Sequence, residues 1–130
     1  METSLKLIGR IKSSLRSTDE CPLQETENAP EAIVEVFPEY KEGIRDIHEG
    51  SEILLFTWLH QANRSILKCI PRREYDSPMI GVFSTRSPDR PNPIGIHSAK
   101  VTGFTNEGFL KVSALEVING TPLIDIKPVI

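Results

Sequence analysis

The sequence is poor in cysteine: Cys21 and Cys69 are the only two in 130 residues. Two thiols cannot build a disulfide framework or a cysteine-ligated zinc site, and a reducing compartment, the cytoplasm, is the simplest setting. Long apolar runs are missing too. Stretches such as Ile53–Phe56 fall far short of the ~20 residues that a membrane span needs. Met1–Ile11 has no apolar h-region, so no secretory signal is expected. No Gly-x-Gly-x-x-Gly stretch occurs, which leaves a Rossmann-type nucleotide site without sequence support. His48, His60 and His97 lack metal-ligand spacing, so no metal site is expected. Positive charge is also in deficit: a net charge of −3 argues against a large non-specific nucleic-acid binder.

What remains is an ordinary soluble balance, 38% hydrophobic and 25% charged, in a length that fits one domain over residues 1–130. Period-2 patterns dominate. Leu5, Leu7, Gly9 and Ile11 alternate with more polar positions, and Ala32–Phe37 forms a second strand candidate, stopped by Pro38. Pro38–Ile47 places Tyr40, Ile44 and Ile47 at helical spacing behind a first-turn proline, which predicts one short helix. Ser51–Leu59 is continuously apolar and reads as a strand buried on both faces. Ile66–Ile70, Met79–Phe83, Ile94–Phe104, Gly108–Leu115 and Leu123–Val129 complete the strands, with turns at Asn106-Glu107-Gly108 and Asn119-Gly120. The fold class expected is mainly β, a small antiparallel β-barrel-like domain with one short helix.

Charge is divided along the chain. Asp19–Glu52 holds eleven acids against Lys41 and Arg45, whereas Ile66–Lys100 holds six bases against three acids. Inside the basic stretch lies Gly81–Gly95, GVFSTRSPDRPNPIG. Pro88, Pro91 and Pro93 fix φ and remove backbone donors, and they push Ser87, Arg90 and Asn92 toward extended conformations. The segment is therefore a stiff loop, bracketed by Gly81 and Gly95, which permit tight turns or close backbone approach. Arg86 and Arg90 on such a loop either grip a carboxylate or phosphate in a bidentate fork or pair with nearby acids.

These residues resemble a known family. GVFSTRSPDRPNPIGIHS (81–98) is similar to the signature of the TrmO/TsaA-like family, and LEVINGTPLIDIKPVI (115–130), IGRIKSS (8–14) and ILLFTWLH (53–60) resemble its other blocks in the same order. The resemblance implies a β-barrel methyltransferase domain that binds S-adenosylmethionine (AdoMet), usually as a homodimer. It also implies N6-methylation of threonylcarbamoyladenosine beside the anticodon of tRNA. A small-molecule or other acceptor, or a non-catalytic AdoMet-binding module, are the competing readings.

By the order of the blocks, the family's cofactor contacts fall on Gln24, Glu25 and Thr26; on His60 and Gln61; on Arg86 with Ile96; and on Glu116, Val117, Ile118 and Asn119. Arg86 is the choice for the AdoMet carboxylate, with an acidic neighbour as its alternative partner. Glu116 stands where many members have Asp; it either accepts ribose hydroxyls or is an exposed strand residue. His60 follows an apolar run and is alternatively a core histidine. Asn92 either faces the reacting amine as a catalytic residue or holds the loop together. Arg72, Arg73, Arg90 and Lys100, with Lys68, are the candidates for a substrate-binding basic surface. Asp125 and Lys127 are expected as a cross-strand pair. Asp89 departs from the family, placing an acid beside the presumed substrate mouth, and Ser14 replaces the usual proline. Longer members use a C-terminal extension to help hold tRNA; here that task would fall to the basic stretch, alone or across a dimer.

Overall fold

Alternation of apolar and polar residues sets the strands, and their pairing closes one sheet on itself. The computed structural model describes residues 1–14, 31–70, 78–113 and 115–130. The strands are β1 (Gly9–Lys12), β2 (Ala32–Val36), β3 (Glu52–Trp58), β4 (Lys68–Cys69), β5 (Ile80–Gly81), β6 (Ile94–Phe104), β7 (Leu110–Val112) and β8 (Pro122–Pro128). Six of them form a closed barrel in the order β1-β2-β7-β6-β3-β8, and β4 pairs with β5 outside it. All these pairings are antiparallel. A closed sheet has no free edge to recruit another chain.

The longest strand illustrates the local cause. In β6 the even-numbered side chains from Ile94 to Lys100 face outward, while Gly95, His97, Ala99 and Val101 point into the barrel. The core inside is made of Ile11, Val34, Val36, Ile53, Leu55, Val101, Leu110, Val112, Leu115, Val117 and Leu123, each at most 2% exposed. Each such side chain contributes about 1.5–3 kcal/mol of burial.

Three expectations are corrected. β3 is not buried on both faces: Ile53, Leu55 and Thr57 are inside, but Leu54, Phe56 and Trp58 on the outer face are only half-buried. Helices pack outside parallel sheets, whereas a closed antiparallel barrel leaves its outer face uncovered within one chain. The helix predicted over Pro38–Ile47 is a 3-10 helix, Pro38–Ile44. Gly43 disfavours a longer α-helix by about 1 kcal/mol relative to alanine. Tyr40, Ile44 and Ile47 still pack against the core. Met79–Phe83 likewise divides into the two-residue β5 and a 3-10 turn, Val82–Ser84. Among the described residues no helix is long and apolar enough to cross a membrane.

Strand direction sorts the connections into two ends. β1, β3 and β7 run one way, β2, β6 and β8 the other. One end therefore carries connections 37–51 and 105–109, and the opposite end carries the described parts of connections 13–31, 59–93 and 113–121.

Candidate functional site

Among the described residues, the candidate cofactor residues His60, Gln61, Arg86 and Glu116–Asn119 lie in the connections of that second end, and Ile96 sits two residues into β6. Register brings the roots of these connections together. Trp58, the last residue of β3, pairs with Ile94, the first of β6, and Thr57 pairs with Leu123 near the start of β8. Ile11 donates its N–H to Thr121 O and accepts from Gly120 N–H, at 2.9 and 2.7 Å, tying β1 to the connection before β8. Segments more than a hundred residues apart in sequence thus share one rim.

The proline-rich loop is held by its own arginine. Arg90 Nη2 donates to the carbonyls of Val82 and Thr85, the latter at 2.9 Å, so this one nitrogen spans the 3-10 turn. Thr85 Oγ1 donates to Val82 O at 2.8 Å and accepts from Ser87 N–H at 3.1 Å, while Asp89 N–H donates to Ser87 Oγ at 3.3 Å. Each bond satisfies a polar group that prolines and turns would otherwise orphan. Arg90 is thereby half-buried in a loop-holding position rather than presented on a basic surface. Arg86 is different. It is exposed, and among the described residues its guanidinium has no hydrogen-bond or ion-pair partner, acidic or otherwise. Gly81 has φ −63°, and a Cβ there would meet nothing closer than 4.0 Å, so its place does not require glycine.

A clamp that the sequence reading missed joins this loop to the end of β3. Arg64 Nε donates to Pro91 O at 2.7 Å and Nη2 to Asn92 Oδ1 at 3.3 Å, while the guanidinium lies 5.0 Å from the Trp58 ring. Asn63 N–H donates to Asp89 Oδ1 at 2.8 Å, and Leu59 N–H donates to Pro93 O at 2.8 Å. Asp89 therefore has a loop-fastening task, and the side-chain carbonyl of Asn92 is engaged by Arg64. The only signal for Arg64 was an arginine shortly after a tryptophan-bearing strand. His60 and Gln61, at the head of the same segment, are exposed, so His60 is not a core histidine.

In the third connection Val117 and Ile118 are buried at 2% and 7% exposure, and Glu116 is half-buried with its Oε2 out of reach of solvent, not an exposed strand residue. Asn119 is exposed, and its Oδ1 accepts from Ser13 N–H at 3.0 Å. Gly120 follows at φ +89°, a conformation that glycine adopts without strain. Below the rim, buried Thr57 Oγ1 and His97 Nε2 are hydrogen-bonded at 2.9 Å.

Other candidates fall elsewhere. Gln24, Glu25, Thr26, Arg72 and Arg73 lie outside the described residues. Lys100 is exposed on β6 opposite Glu52, the first residue of β3, and six strand residues or about 20 Å separate it from Ile94 at the rim. Arg90 and Lys100 thus do not form one surface. Asp125 and Lys127 are not a cross-strand pair: they are two residues apart on β8, with Lys127 Nζ 3.7 Å from Asp125 Oδ2.

Three comparisons bear on this arrangement. The sequence model of the tRNA-methyltransferase O N-terminal domain matches residues 10–130. An S-adenosyl-L-methionine-binding protein of Archaeoglobus fulgidus is 35% identical over 123 residues, covering 95% of this chain and 86% of that protein. A second protein of the same archaeon is 39% identical over 129 residues, but these span only 34% of its length. The crystal structure of TrmO from Pseudomonas aeruginosa is similar over 100% of this chain and 57% of the other, at TM-score 0.78 and 31% identity. The chain therefore spans about a third of that second archaeal relative and somewhat over half of the solved one.

Proposed function

The chain belongs to the tRNA-methyltransferase O N-terminal domain family, and on that premise we propose that it is an AdoMet-dependent methyltransferase acting on tRNA, at N6 of threonylcarbamoyladenosine beside the anticodon. The observation that carries this reading is that the connections bearing Arg86, His60, Gln61 and Glu116–Asn119 leave the barrel at the same end. A cytoplasmic location and a homodimer belong to the same reading.

The donor set fits such a cofactor. Arg86 offers a guanidinium fork that has no partner among the described residues, suited to its carboxylate. Glu116 keeps one carboxylate oxygen shielded from water, the chemistry that suits ribose hydroxyls. Ile96, 39% exposed, offers an apolar contact for the methionine chain. When bound, AdoMet supplies an activated methyl on a sulfonium whose thioether is a good leaving group, so neither metal nor covalent enzyme intermediate is required. The chain's task is then to hold an amine nitrogen in line with that methyl and exclude water. Asn92 faces the reacting amine in this reading: its side-chain carbonyl has two lone pairs, one engaged by Arg64 and one left to accept an N–H.

The homodimer draws support from the outer face of β3 and β6. Phe56 pairs with Ile96 and Trp58 with Ile94, four large apolar side chains on the outside of a barrel, with Ile94 43% exposed. A non-catalytic AdoMet-binding module is the second reading, favoured by the relative named for binding alone.

Calorimetry on the purified chain and transfer of a tritiated methyl group to tRNA test the proposal together. AdoMet should bind without added metal, and Arg86→Ala should weaken binding by about 1.5–3 kcal/mol, the range for a charged hydrogen bond. Arg86→Lys should rescue poorly, since an ammonium cannot reproduce the fork. Absence of binding at millimolar AdoMet defeats the cofactor reading. Binding without methyl transfer to RNA, metabolites or protein favours the module.

A further inference from the structure

We infer that the outer face of β1, β2 and β7 is where the phosphodiester backbone of an RNA acceptor docks, an inference that rests on the reading of tRNA as acceptor. Register lays out this face. One row runs Lys12–Ile33–Lys111 across the three strands, and Arg10 pairs with Glu35 in the next. The outward charges of the three strands are therefore three cations against one carboxylate. Lys41 joins them from the 3-10 helix: its Nζ and that of Lys12 lie 5.6 and 5.2 Å from the Phe109 ring centroid. The ring holds the two ammonium groups over its faces, an attraction that fixes cations without neutralising them.

Glu35 is spent within the face. Its Oε1 accepts from Arg10 Nε at 2.8 Å and lies 3.3 Å from Lys12 Nζ. Its carboxyl is held below the usual carboxylate range, first by the Arg10 hydrogen bond and, against the opposing effect of burial, also by Lys12. That direction fits a face of surplus positive potential. Lys111 is exposed and has no ion-pair partner among the described residues.

Spacing decides the kind of ligand. Lys12 and Lys111 sit two strands apart, about 10 Å, and Arg10 lies two residues or about 7 Å from Lys12. No single phosphate touches all three, whereas a polyanionic chain crossing the strands meets them in turn. The cations are also not arranged as a base-reading site; point charges of this kind position a backbone. A cleft of about 670 Å³, lined by Arg10, Lys12, Lys111, Ser13, Asn119 and Glu31, continues from this face to the rim. Asn119 and Ser13 are hydrogen-bonded there. The backbone of an acceptor lying on the face would thus deliver a neighbouring base to the rim.

The test is binding of fluorescently labelled tRNA by anisotropy over a series of salt concentrations, beside AdoMet calorimetry and tritiated methyl transfer. Lys12→Gln with Lys111→Gln should weaken tRNA binding about tenfold and reduce the slope of log affinity against log salt by roughly 1.4–1.8, the loss of two phosphate contacts. AdoMet affinity should not change. Lys111→Gln alone, which breaks no polar contact, should remove about half of that slope. Lys127→Gln, an equal charge change on β8 where it pairs with β3, should leave it unaltered. Wild-type slope in the double variant, an equal loss in Lys127→Gln, or no tRNA binding by the wild type would each overturn the inference. If the double variant loses tRNA binding while the wild type transfers no methyl group to tRNA, the docking face stands and the acceptor reading falls. If the wild type methylates tRNA and the double variant keeps its slope, the reverse holds.

Discussion

At Gly95 a single methyl group would meet two buried side chains at once. A Cβ there would lie 2.6 Å from Thr57 Oγ1 and 2.7 Å from His97 Nε2, both interior groups hydrogen-bonded to each other. Neither can swing into solvent, so Gly95→Ala should destabilise the barrel by about 1–3 kcal/mol, as overpacking does. Thermal unfolding followed by circular dichroism measures this, and an unchanged Tm would show that the pair can give way. Glu35 makes a second prediction at the same scale. Because its folded-state pKa is depressed, its contribution to stability is complete above the ordinary glutamate value of about 4.3 and is lost as pH falls through the folded value. Glu35→Gln should therefore be less stable than wild type at pH 7, with the gap in urea midpoint closing in strong acid. A gap independent of pH would remove the ion pairs as its cause.

The element that sets the site is the loop between β5 and β6, which has almost no repeating structure and is held by side chains instead. Arg90 bridges two carbonyls of the turn at Val82–Ser84, and Arg64 fastens Pro91 and Asn92 to the end of β3. Pro88, Pro91 and Pro93 reduce the conformations this loop loses on ordering, so a few such bonds suffice. Arg64→Ala should speed amide hydrogen exchange in 82–94 while leaving β1, β2 and β7 protected as before. Arg90→Lys should act in the same direction at Thr85 and Ser87, since a flexible ammonium does not hold its donors in the fixed plane from which Nη2 reaches both carbonyls. Exchange spread evenly over the barrel would instead mean that these arginines hold the whole fold.

For the whole molecule, barrel closure has a functional consequence: it gathers the described parts of connections 13–31, 59–93 and 113–121 at one end. It also leaves outside surfaces with contrasting chemistry, an apolar one on β3 and β6 and a cationic one on β1, β2 and β7. If the apolar face joins two copies, Ile94→Asp should convert the dimer to a monomer in light scattering, because a charge cannot be buried there unpaired. AdoMet binding that survives in that monomer would place the whole cofactor site in one chain. A wild type that is already monomeric at micromolar concentration would end the dimer reading.

Local pattern was enough for the strands themselves. Alternation marked Ile94–Phe104 to the residue and identified the inward Gly9 and Ile11 of β1, and Gly108 and Gly120 take the left-handed conformations that their turn motifs imply. The block 81–98 was also legible, because prolines and arginines act on the chain beside them. Periodicity reports which side of a strand meets the core, however, and nothing about which strand lies next to it. That Ser13 meets Asn119, that Arg64 meets Asn92, and that β1 pairs with β8 follow from register and closure between distant segments. Charge was the most misleading when counted along the chain. The basic run Ile66–Lys100 sends Arg90 into its own loop and Lys100 to the far end of β6, while the cationic face takes Arg10, Lys12, Lys41 and Lys111 from separate stretches, Lys41 from the acidic one. A surface is made of neighbours in space, and only folding decides who those neighbours are.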